Sequence, residues 1–132
     1  MRRVVYAAIL AVSLAGCARW RHAGVADALP PHIDAVRPDS VLLPRGGVVE
    51  VTIVGRNFAP ATAGGANTIQ FAGMSLANIR ANAAGTEIRF AIPDMVSTGG
   101  EAPPALLESG VYPVRITTAV GASNAVAIRV FR

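Results

Sequence analysis

A chain of 132 residues is long enough for one domain plus a targeting segment. Its 12 basic side chains are all arginine, face 8 acids, and are scattered along the chain with acids between many of them. A nucleic-acid binder would gather them into a stripe, so no nucleic-acid partner is expected, and a single cysteine excludes an internal disulfide.

The chain begins with Arg2 and Arg3, followed by an apolar run from Val4 to Leu14 broken only by Ser13. Small residues Ala15 and Gly16 then precede Cys17. This is the charged, apolar and small-residue layout of an export signal, and it is too short for a membrane span, which takes about 20 apolar residues. Leu14-Ala15-Gly16-Cys17 resembles the lipobox of bacterial lipoprotein precursors. The resemblance implies cleavage after Gly16, a covalent lipid on Cys17 and anchoring in the cell envelope. Ala18 follows the cysteine in place of Asp, which implies the outer membrane where the source has two membranes. Residues 1–16 are then the signal peptide and 17–30 the lipidated cysteine with a flexible tether ending in Pro30-Pro31. Trp20, between Arg19 and Arg21, is either a tether residue or an interfacial contact.

Residues 31–132 read as short alternating strands between Gly, Pro and Asn punctuation, the pattern of a β-sandwich. Ile33 to Val36 opens the domain, and Leu42-Leu43 is expected to continue that strand after a kink at Pro38. Val49, Val51 and Ile53 should face the core, with Glu50 and Thr52 outward. Ile69 and Phe71 form the next inner face, and Leu76 to Asn82 suits an edge strand. Ile88, Phe90 and Ile92 follow, then Tyr112, Val114 and Ile116, and last Val126, Ile128 and Val130. Pro113 is expected at a strand's outer end, facing solvent, because it cannot donate to a ladder.

Pro38, Gly46-Gly47, Gly55-Arg56-Asn57-Phe58, Phe71-Ala72-Gly73, Ile92-Pro93, Gly110-Val111-Tyr112-Pro113-Val114 and Gly121-Ala122-Ser123-Asn124 stand in an order that resembles an IPT/TIG domain. The resemblance implies an all-β, immunoglobulin-like sandwich of the E-set type. These motifs are scaffold: Phe58 would plug one end of the core, and Asn124 would brace the last hairpin turn. Unlike antibody domains, the sandwich has neither a cysteine pair nor a tryptophan to join its sheets.

No nucleophile, metal-ligand or phosphate-loop spacing occurs, so neither an enzyme nor a metal is expected. No cofactor beyond the lipid on Cys17 and no small-molecule substrate is expected either.

Two places suit binding. The connection from Asp94 to Ser109 spans 16 residues, long for a compact domain. There Leu106 and Leu107 either cap the core from a helical turn after Pro104 or leave one leucine exposed as a contact. In the last hairpin, a turn centred at Gly121-Ala122 would set Arg115 opposite Arg129 and Pro113 opposite Phe131. Opposed like charges are unfavourable, so the pair splays into water or holds an anionic or planar partner. The reading is a lipid-anchored binding or spacer module, with an envelope protein or glycan as partner. Its alternatives are a glycan- or peptidoglycan-contacting module and a small subunit of an envelope secretion or transport assembly.

Overall fold

The computed structural model describes residues 28–61, 66–97 and 99–132. Leu14, Ala15, Gly16, Cys17 and Trp20 lie outside the described residues. The described chain is all-β, with ten strands and no α-helix. They are β1 (His32–Arg37), β2 (Ser40–Leu42), β3 (Val48–Arg56), β4 (Asn67–Phe71), β5 (Met74–Ile79), β6 (Glu87–Pro93), β7 (Met95–Val96), β8 (Ala105–Leu106), β9 (Gly110–Thr117) and β10 (Val126–Phe131).

Two sheets carry the fold, a three-stranded one in the order β1-β3-β6 and a five-stranded one in the order β2-β10-β9-β4-β5. Their inner faces supply one core, which makes an immunoglobulin-like sandwich. Alternation decides the inward set: Val51 and Ile53 on β3, Ile88, Phe90 and Ile92 on β6, Val114 and Ile116 on β9, and Ile128 and Val130 on β10 are all buried. On β1 the buried residues Ile33 and Val36 are three apart, and a register shift between Ile33 and Ala35 restores the inward phase.

Phe71 takes the central position. Its ring packs edge-on against Phe90 of the facing sheet at 5.9 Å between centroids, and against Tyr112 at 5.6 Å. The Tyr112 hydroxyl then donates to the Glu108 carbonyl at 2.9 Å, four residues upstream. This is the tyrosine-corner arrangement of immunoglobulin-like sandwiches. Phe58 plugs one end of the core, 2% exposed. Gly55 is required beside it, because a Cβ there would lie 2.0 Å from the His32 carbonyl oxygen and 2.6 Å from the Phe58 ring.

Three expectations change. Leu42-Leu43 does not continue the first strand: the chain leaves the three-stranded sheet at Pro38 and joins the other, where β2 runs parallel to β10. A proline offers no ladder donor, so the chain can change sheets there without stranding an N–H group. Among the described residues the Asp94–Ser109 connection holds no helical turn; β7 and β8 pair as a small antiparallel hairpin within it. Asn124 does not brace the last turn. Its side chain accepts from the Ile33 amide at 2.8 Å and donates to the Ile33 carbonyl at 2.9 Å, tying β10's approach to the first strand.

Candidate binding face

The two outer faces of the sandwich differ in charge. Outward positions of the three-stranded sheet interleave both signs, with Arg56 bonded to Asp34 at 3.0 Å and Arg89 lying 4.0 Å from Glu50. His32 lies 3.5 Å from the same Asp34 carboxylate. Such exposed pairs add little stability, but they leave that face electrically balanced.

None of the five strands of the other sheet contains an Asp or Glu. Their outward positions instead present Arg115 and Arg129 among Leu42, Val111, Phe131, Pro113 and Ala127. Leu42 is 70% exposed, Val111 63% and Phe131 50%. Leu42 and Phe131 are neighbours across the β2–β10 ladder, and Arg129 stands between Ser40 and Val111. Beta-sandwich faces meant only for water carry polar groups at such positions, so this face has the composition of a contact surface.

Arg115 and Arg129 do share this face, but they do not oppose each other. In the β9–β10 ladder Arg129 faces Val111, Pro113 faces Ala127 and Val114 faces Val126. The cause is Ser123. Its amide donates to the Ile116 carbonyl at 2.7 Å, and its hydroxyl accepts from the Ile116 amide at 2.9 Å. A side chain thus occupies a ladder position, and the tight turn lies before it, with Thr118 and Gly121 exchanging backbone bonds. The two arginines are therefore separated by about 13 Å along the strand direction, at about 3.3 Å per residue. That exceeds the screening length of about 8–10 Å at ordinary salt. Their mutual repulsion is small, and each is available to a different part of a partner.

Arg115 instead neighbours Gln70 across the β4–β9 ladder, and Gln70 neighbours Ser75 across β4–β5. These three side chains line a groove of about 370 Å³, with Pro113 and Ala125 on one side and the Ala72-Gly73-Met74 turn on the other. Gln70 and Ser75 were legible in the sequence only as an outward strand position and a residue past a turn. Nothing in the spacing places them beside Arg115.

The two leucines of the long connection have separate fates. Leu107 is buried in the main core at 2% exposure, while Leu106 is 49% exposed and pairs with the exposed Met95. Leu107 is thus core, and only Leu106 remains a contact candidate. The hairpin is fastened at its base by Asp94. The Asp94 carbonyl accepts from the Leu107 amide at 2.8 Å and from the Arg132 guanidinium at 3.1 Å, and the Gly46 amide donates to its carboxylate at 2.6 Å. Glu101 and Glu108 are both exposed, and neither appears in an ion pair among the described residues. Also among the described residues, no three His, Cys, Asp or Glu side chains gather as a metal-ligand set.

Comparison with family models, with curated proteins and with solved structures finds no match to this chain.

Proposed function

We propose that this is a lipid-anchored cell-envelope protein whose immunoglobulin-like domain, of IPT/TIG type, is a non-catalytic binding module. Leu14-Ala15-Gly16-Cys17 supports the anchor, since a cysteine behind a short apolar export signal suits acylation. Two acyl chains hold a protein stably where one does not. In a cell with two membranes the anchor is in the outer one, by the residue after the cysteine.

One observation carries the binding role: the five-stranded sheet exposes Leu42, Val111 and Phe131 beside two arginines on strands that contain no carboxylate. On the other face Arg56 and Arg89 have acids of that same face beside them. A surface that neutralises one face internally and leaves the other cationic and apolar suits an anionic partner with an apolar component. The partner is an envelope protein or glycan.

Two tests separate the halves of this reading. Cys17→Ser should move the protein from the membrane fraction to the soluble fraction, and retention under high salt would remove the anchor. Substituting both Arg115 and Arg129 with Glu should abolish recovery of the partner from solubilised envelopes. Unchanged recovery would remove the binding face.

A further inference from the structure

The groove on the outer face has a chemistry of its own. Arg115, Gln70 and Ser75 form one row across three strands, and each occupies an outward position. None of the three side chains has a hydrogen-bond or ion-pair partner among the described residues, whereas Arg56 and Arg132 are bonded to carbonyl or carboxylate groups. A guanidinium with its fork free is matched to a carboxylate, which it takes through two parallel bonds. Gln70 and Ser75 each offer both a donor and an acceptor, the property that hydroxyl groups require of a neighbour. Pro113 and Ala125 border the row without polar side-chain atoms and leave a surface on which a saturated ring can rest. The volume of about 370 Å³ is at the lower end of small-ligand sites, roughly 300–1,000 Å³, which suits one or two rings of a short oligosaccharide whose remainder lies outside the groove.

From this arrangement we infer that the groove binds a carboxylate-bearing sugar, such as a uronic acid residue. Arg115 holds the carboxylate, and Gln70 and Ser75 hold ring hydroxyls. A phosphate monoester, at roughly −1.5 to −2 near pH 7, carries more charge than a single guanidinium balances. A simple aliphatic acid would leave Gln70 and Ser75 unused. The inference rests on the proposed binding face and names the chemistry that one part of it recognises.

Isothermal titration of the detergent-solubilised full chain tests it, with tri-galacturonate as the probe. Neutral maltotriose, inorganic phosphate and a short peptide with a free C-terminal carboxylate serve as comparisons. The expected result is saturable binding of tri-galacturonate and none of maltotriose. Arg115→Gln should weaken binding at least tenfold. Arg115→Lys should lose less, because charge remains but the fork does not, and Gln70→Ala and Ser75→Ala should each weaken binding several-fold. All four variants alter one of three exposed side chains, so thermal unfolding should be unchanged and confirm intact folding. Equal binding of maltotriose, phosphate or the peptide would overturn the inference, as would binding indifferent to Arg115→Gln. Absence of tri-galacturonate binding, with partner recovery from envelopes still lost in the double Arg-to-Glu variant, would overturn the sugar-acid assignment alone. The binding face would then stand.

Discussion

Asn67 offers the sharpest test of how the binding face is built. It is fully buried at the start of β4, and its amide group makes three bonds. The oxygen accepts from the Ala59 amide at 2.8 Å, and the nitrogen donates to the carbonyls of Ala59 at 2.9 Å and Ile79 at 3.0 Å. One side chain thus ties the loop after Phe58 to the end of edge strand β5, where the β4–β5 register shifts. Asn67→Ala deletes all three of these bonds. Ala59 and Ile79 are only half-buried, so water reaches part of what is lost. At about 1 kcal/mol net per bond, the expected loss is about 3 kcal/mol. For a domain of this size, 1 kcal/mol moves Tm by about 4–8 °C, so the midpoint should fall by roughly 12–24 °C. Asn67→Asp keeps the shape but turns the donor into an acceptor aimed at two carbonyls, and should cost at least as much. Thermal unfolding followed by circular dichroism reads both. A fall of less than about 4 °C for either variant would refute the clamp.

Leu107→Ala should cost about 2–5 kcal/mol in urea unfolding, as for a leucine removed from a packed core, whereas Leu106→Ala should stay within about 0.5 kcal/mol; similar losses at both would contradict the division between them. Asp94→Ala removes the acceptor of the Gly46 amide and should destabilise by about 1–3 kcal/mol. Limited proteolysis should then cut the β7–β8 hairpin faster than in the unaltered protein. An unchanged cleavage rate would show that the hairpin is held by other contacts.

Much of the scaffold was legible in the sequence because strands buried on one face alternate. Val51 and Ile53, then Ile88, Phe90 and Ile92, declare their strands directly. Features that depend on what a residue meets across space were not legible. Pro38 reads as a kink within one strand, and only the partner strands show that the chain changes sheets there. Leu106-Leu107 after two prolines suits a helical turn as well as a strand, and pairing with Met95-Val96 decides it. The β9–β10 register failed for a similar reason. A Gly-Ala-Ser-Asn turn counts as a simple loop until Ser123 is seen to occupy a ladder position with its hydroxyl. The candidate face was partly legible, since Arg115, Arg129 and Phe131 do point outward. Its groove was not, because Gln70 and Ser75 come from strands about 40 residues away in sequence from Arg115.

The most direct measurement of the central claim is site-specific photocrosslinking in intact cells that make the full chain. A photoreactive side chain is placed at Val111 on the five-stranded face or at Thr52 on the three-stranded face, both at outward strand positions. The account predicts a discrete adduct from position 111 and none from position 52. Adducts of equal yield from both positions, or from position 52 alone, would contradict it.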